Sequence, residues 1–351
     1  KKNPLGGLSR RSVKINEIRD QGISPIILDA GDLIFSTKKI NAQNKNAELF
    51  RADAMLEGFN KIGCDAINVG HYEMLNGLSY LKNISQKTDI PFISANLKDP
   101  STNELIFEPY IILERGDLRI GVAGVTNQLP DTSKSMLADD YIESANHYAE
   151  LLSKEVDIIV MLVNADRGSQ GDLVANMPDV DFIVASGSVN MSRANSPQKK
   201  DGPYLYSCGK QGKYLLSLDV NLKDDDKPFI DVTAQEKKIR SINKRFEKLQ
   251  KKDPDKTLDE IYSEQENILN LINRYRDDLK VAEEAIDAAV NTIQFQTIPL
   301  NNKVKDDQEL LAFVNESVKK CNALDPKKSS NATTAKKKPR ASARSHHGHE
   351  H

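Results

Sequence analysis

The sequence predicts an α/β domain followed by an α-helical hairpin with coiled-coil character, and three observations carry that expectation. From Ile23 to about Thr233, short Val- and Ile-rich runs alternate with amphipathic stretches, the pattern of strands packed under helices. After Thr233 those runs stop, and apolar residues recur first at helical and then at heptad spacing. Beyond Asp325 apolar residues become sparse, which predicts a disordered tail. The expected organisation is therefore an α/β domain over 1–233, a helical hairpin over 234–298, a linker and terminal helix over 299–324, and a basic, His-rich tail over 325–351.

Within the first region, residues 25–28, 66–69, 91–94, 119–123, 158–162 and 182–185 are brief apolar blocks closed by polar residues or glycine, as buried strands require. Residues 8–21, 47–62, 76–86 and 144–154 place apolar side chains three and four apart, which predicts helices lying on the sheet. Residues 204–206 and 214–222, on either side of a turn at 209–212, read as a late β-hairpin.

In the second region Ile239, Ile242, Phe246 and Leu249 line one helix face before Pro254 breaks it. Thr257 and Glu260 have the spacing of a capping box. A second helix is expected to follow, with Ile261, Ile268, Tyr275, Ala282 and Ala289 at one seam position and Gln265, Ile272, Leu279, Ile286 and Ile293 at the other. Such a seam either packs the two helices on each other or docks a protein partner along 234–293. A final amphipathic helix is expected over 306–324.

The bulk numbers exclude some functions. A formal net charge of -2 over 351 residues does not mark a nucleic-acid binder. No stretch reaches the roughly 20 apolar residues of a membrane span, and the start at Lys1 lacks the apolar core of a signal peptide. Cys64, Cys208 and Cys321 are odd in number and at no metal-ligand spacing, so neither a disulfide framework nor a zinc knuckle is expected. In the tail, His346, His347, His349 and His351 form an imidazole cluster able to take a transition metal, and Lys336, Lys337, Lys338 and Arg340 suit an acidic partner or lipid. Asn331-Ala332-Thr333 fits a glycosylation sequon.

Candidate chemistry sits where strands stop: Leu28-Asp29-Ala30-Gly31-Asp32 ends on a carboxylate, and Asn68-Val69-Gly70-His71-Tyr72-Glu73 carries an imidazole, a phenol and a second carboxylate. Together with Gly6-Gly7-Leu8-Ser9-Arg10-Arg11, Ser94-Ala95-Asn96 and Gly209-Lys210-Gln211-Gly212-Lys213-Tyr214-Leu215, these segments occur in the order and spacing of a known family. Residues 6–220 and 299–314, roughly two thirds of the chain, resemble the catalytic domain of the 5'-nucleotidase and UDP-sugar hydrolase family of calcineurin-like metallophosphoesterases.

That resemblance implies a metallophosphoesterase-like two-sheet sandwich flanked by helices, an exported protein, and phosphate-ester hydrolysis at a pair of metal ions held by Asp, Asn and His. Carried over residue by residue, Asp32 matches the bridging aspartate. His71 falls on the asparagine of the family's Gly-Asn-His-Glu motif and Tyr72 on its catalytic histidine, while Gly70 and Glu73 agree with it. Asn164, with Asp166 nearby, stands where the next histidine is expected, and Gly187-Ser188-Val189-Asn190 stands for Gly-His-x-His. The family's Asp-x-His motif would precede Lys1. Outside the tail the only histidines are His71 and His147, and His147 lies in an expected helix.

Two functional expectations follow. With so many imidazoles replaced, the chain is expected to bind no cofactor and to act as a non-catalytic binding, scaffold or assembly subunit, docked through its hairpin in an extracytoplasmic complex. The alternative is a metal-dependent phosphoesterase in which Asp32, His71, Asn164 and Asn190 hold one divalent cation and Tyr72 or Glu73 moves a proton.

Overall fold

The computed structural model describes residues 5–130, 135–187, 190–193, 198 and 202–325. Helix α1 (Leu8–Arg19) leads through β1 (Leu28–Asp29), α2 (Lys45–Ile62), β2 (Ala66–Asn68), α3 (Leu78–Ser85) and β3 (Phe92–Ile93). Strands β1, β2 and β3 form a parallel sheet in that order. Next come β4 (Leu97–Lys98), β5 (Tyr110–Arg115), β6 (Leu118–Thr126), β7 (Leu137–Ala138), α4 (Tyr141–Leu152), β8 (Ile158–Ala165), α5 (Gln170–Asn176), β9 (Phe182–Gly187) and β10 (Tyr204–Tyr206). A five-stranded sheet runs β10-β9-β8-β6-β5, antiparallel only between β5 and β6, while β4 pairs with β7. The chain then forms β11 (Tyr214–Asn221), β12 (Phe229–Asp231), α6 (Thr233–Gln250), α7 (Leu258–Ile261), α8 (Glu266–Asp287), β13 (Asn291–Pro299) and α9 (Gln308–Leu324), with a third sheet ordered β11-β13-β12.

The period-two alternation of the central strands decides the layering. On β6, Ile120 and Val122 face one core and Ala123 and Val125 the other; on β8, Ile158 and Leu162 oppose Ile159, Met161 and Val163. The inner core joins this sheet to Ala66 and Ile93 of the first sheet and to Phe229, Ile293 and Phe295 of the third. Outside, α4 and α5 cover the five-stranded sheet through Ala145, Ala149, Leu152 and Leu173. On the opposite side Ile15, Leu56, Phe59, Ile62, Leu81, Ile84 and Leu310 bring α1, α2, α3 and α9 against β2 and β3. Each such fully buried aliphatic or aromatic side chain contributes about 1.5–3 kcal/mol, so the expected sheet sandwich flanked by helices is the arrangement that buries both faces of the central strands β6 and β8.

Three expectations are corrected. The late β-hairpin does not exist: β10 pairs parallel to β9 in the five-stranded sheet, whereas β11 pairs antiparallel to β13 in another. The 234–298 hairpin is helical only to Asp287, and its second helix is broken, with α7 ending at Ile261 and α8 starting at Glu266. Residues 291–299 form a strand between β11 and β12, where Ile293 is fully buried in the inner core instead of completing a helical seam. The long hairpin is thus an insertion between two paired strands. Lastly, 299–324 is no free linker, because Ser9 and Ser12 of α1 donate to Asp306 and Asp307 at 2.6 and 2.8 Å and α9 packs on α2 and α1.

The capping box is present at α7, where Thr257 and Glu260 exchange side-chain and backbone bonds. The seam that does form turns inward: Ile242, Ile272 and Ala282 are buried between α6 and α8, and Phe246 meets Tyr275 edge to face at 6.1 Å. The tail beyond Asp325, with its His cluster, Lys run and sequon, lies outside the described residues.

Candidate functional site

The loops after β1 and β2 meet at the C-terminal ends of their strands, and the local sequence allows a close approach. Gly31, at φ 101°, lies so near that an added Cβ would be 2.9 Å from the Gly70 Cα. Asp32 follows in a left-handed conformation at φ 68°, a strain of the kind that collects at functional sites. Its Oδ1 accepts the Tyr72 backbone N–H at 3.0 Å. Its Oδ2 takes no protein hydrogen bond among the described residues.

Glu73 is fully buried and holds this junction together. Its Oε2 accepts the N–H groups of Asp32 and Gly70 at 2.8 and 2.9 Å, and its Oε1 those of Leu33 and Ile34 at 2.6 and 3.1 Å. Burial, with the nearby Asp32 charge, pushes its carboxyl up to about 7, against the pull of those N–H bonds. With both oxygens committed to backbone, Glu73 is a positioning residue rather than the proton carrier the sequence suggested. Asp29 at the end of β1 is likewise pushed up to about 6 by burial, partly offset by the Arg11 guanidinium.

His71 and Asn164 are brought together through the main chain: the His71 N–H donates to Asn164 Oδ1 at 3.0 Å. The Asn164 amide donates to Ser186 Oγ at 2.8 Å, whose hydroxyl donates on to the Ala30 carbonyl at 2.6 Å. His71 Nδ1 is a buried atom with no hydrogen-bond partner. The Tyr72 phenol lies beside it, ring centroids 5.7 Å apart, and burial and the Asp32 charge hold its pKa above the ordinary value. At neutral pH Tyr72 is therefore a donor and not a base. Asn190 is exposed and lies apart, lining a cleft with Arg167 instead of joining the hydrogen bonds of Asp32, His71 and Asn164.

A buried polar layer beneath the loops went largely unread in the sequence. Asn68 donates to the carbonyls of Ala30 and Val125 at 3.1 and 3.0 Å, and Asn96 exchanges bonds with the Thr126 backbone at 2.8 and 3.0 Å. These bonds tie the ends of β1, β2 and β6 together across the sandwich. The signal was a polar residue closing an otherwise apolar strand, visible at Asn68 and Asn96 and too common to isolate Thr126 or Ser186.

Whether a metal ion fits can be judged from the donor atoms. Asp32 Oδ2 and His71 Nδ1 are uncommitted, and an orphaned buried nitrogen is costly unless something fills its place. Asn164 has its amide oxygen and nitrogen engaged. Among the described residues no group of three or more His, Cys, Asp or Glu side chains is placed to hold a metal. The chain thus leaves two donor atoms uncommitted on adjoining loops, fewer than the four expected residues and far short of a two-metal clamp.

The sheet sandwich, with its polar residues at parallel strand ends, defines the class: the chain has the fold of calcineurin-like phosphoesterases. That of Bacillus subtilis named YfkN superposes with a TM-score of 0.58 at 15% identity, covering 90% of this chain and 89% of that one. A 5'-nucleotidase precursor from Thermus thermophilus superposes with a TM-score of 0.60 at 17% identity, covering 92% of this chain and 54% of that one. Within the class, the chain resembles the 5'-nucleotidase family in sequence as well as in fold. A 5'-nucleotidase of Vibrio parahaemolyticus is 26% identical over 261 residues, covering 63% of this chain and 45% of the relative. The chain spans about half the length of the curated relatives it matches. No protein-family model matches it.

Proposed function

We propose that the chain acts on phosphate esters as a metal-dependent phosphoesterase of the 5'-nucleotidase type, working with a reduced ligand set. The observation that supports this reading is the pair of uncommitted atoms, Asp32 Oδ2 and His71 Nδ1, on adjoining strand-end loops of a chain related to 5'-nucleotidases. A divalent cation there would polarise a phosphoryl oxygen and acidify a bound water. In this reading Asp32 and His71 hold the cation, and Glu73 fixes both loops through four N–H bonds. The protonated Tyr72 phenol donates toward the leaving oxygen, and Asn164 orients the His71 backbone.

A second reading, a non-catalytic binding or assembly subunit, is favoured by Asn164, whose amide is consumed within the fold. In that reading the inserted α6–α8 hairpin remains the partner-binding element. An extracytoplasmic setting belongs to both readings; no described helix is long and apolar enough to cross a membrane.

The test is hydrolysis of a nucleoside 5'-monophosphate by the full chain, with and without Mn²⁺, beside Asp32→Asn and His71→Ala. Metal-stimulated turnover that falls at least about a hundredfold in both variants is expected. Turnover at the uncatalysed rate, or turnover indifferent to both substitutions, would leave the second reading in its place.

A further inference from the structure

We propose that the cleft formed by Arg167, Gln170, Asn190, Ser192 and Ser207 is an anion subsite that takes a phosphate group on the Arg167 guanidinium without the help of a metal ion. It rests on the phosphoesterase reading only for the choice of phosphate as the anion.

Placement is the first argument. Strands β8, β9 and β10 run parallel, and beyond their C-terminal ends the chain delivers Arg167, Asn190 and Ser207 to one cleft of about 360 Å³. Crevices outside the carboxyl ends of parallel strands are where open α/β sheets bind ligands, and the volume falls at the small end of ligand sites.

Charge is the second. Among the described residues no Asp or Glu lines the cleft. The one carboxylate next to Arg167 in sequence, Asp166, is already engaged. Its Oδ1 accepts the N–H groups of Gly168 and Ser169 at 2.7 and 3.2 Å, and its Oδ2 accepts the Ser169 hydroxyl and the Asn127 amide at 2.9 and 3.0 Å. These bonds, led by the Ser169 hydroxyl, hold Asp166 below the ordinary carboxylate range and build a tight turn that carries the exposed Arg167 outward. Among the described residues Arg167 has no ion-pair partner, while Gln170, Asn190, Ser192 and Ser207 surround the cleft with neutral amide and hydroxyl groups.

A guanidinium offers two parallel N–H groups that match phosphate oxygens. In this chain, where imidazole ligands are few, Arg167 supplies a positive charge beyond the end of β8.

The test is calorimetric titration of the full chain with inorganic phosphate and with methyl phosphate, both in EDTA at low ionic strength. One site per chain is expected for both probes, because only phosphoryl oxygens reach the guanidinium. Arg167→Ala should weaken both at least about tenfold, with an unchanged unfolding midpoint. Absence of binding in EDTA, or equal affinity in Arg167→Ala, would overturn the subsite. Failure of the phosphoesterase reading shows itself separately, as missing metal-stimulated turnover in a chain that still binds phosphate.

Discussion

Replacing Gly31 by alanine tests whether the site depends on the close approach of its two strand-end loops. At φ 101° an alanine is strained whatever space surrounds it, a cost of about 1–2 kcal/mol. Its Cβ would also sit 2.9 Å from the Gly70 Cα, 2.9 Å from the Gly70 nitrogen and 3.0 Å from the Asn68 carbonyl oxygen. These are backbone atoms held by Glu73 and by the β2 ladder, so relief requires separating the loops, which adds about 1–3 kcal/mol of overpacking. The expected loss is about 2–5 kcal/mol in chemical denaturation monitored by circular dichroism. Gly22→Ala is the matched control: its φ is 81° but nothing lies within 4 Å of an added Cβ, so it should lose only the conformational share. If Gly31→Ala is no more destabilising than Gly22→Ala, the two loops are not packed against each other at this junction.

Other outcomes follow from the same geometry. Glu73→Ala orphans four buried N–H groups and should lower unfolding free energy by about 3–5 kcal/mol, read by denaturant titration. Asp29 and Glu73, pushed up from 3.8 to about 6 and from 4.5 to about 7, hold protons in the folded state that the unfolded chain has already released. Their stabilisation is complete below about pH 4 and is lost as pH rises through 6 to 7, so unfolding free energy should fall across that window and fall less in Asp29→Asn. Ile272→Ala, at a fully buried seam position between α6 and α8, should cost about 2–5 kcal/mol and melt hairpin helicity first in hydrogen exchange.

Much of the architecture was legible along the chain because its signals are local. Apolar residues at helical spacing gave α1 to α4 within a few residues of their observed ends, since a helix satisfies its own hydrogen bonds and needs only one buried face. Apolar blocks gave β2, β3, β6, β8 and β9. The α7 capping box is a three-residue signal and formed as spaced. At the site, the motifs of 28–32 and 68–73 located the loops that carry Asp32, His71, Tyr72 and Glu73, because polar residues that close buried strands mark the strand ends where ligands are bound.

Local signals along the chain thus sufficed for the kind of element in each stretch, the resemblance to 5'-nucleotidases and the poverty of imidazole at the strand ends. Tertiary structure alone decided which sheet each strand joins: Tyr204 to Tyr206 pairs with β9, while Ile293 leaves the heptad pattern to pair between Val220 and Asp231. It also decided what each site residue does, committing Glu73 to four backbone donors, Asn164 to Ser186, and Asn190 to a cleft with Arg167. The reason is physical: a strand's hydrogen-bond partners and a polar side chain's neighbours lie far away in sequence, so periodicity fixes that a residue is buried but not what it is buried against.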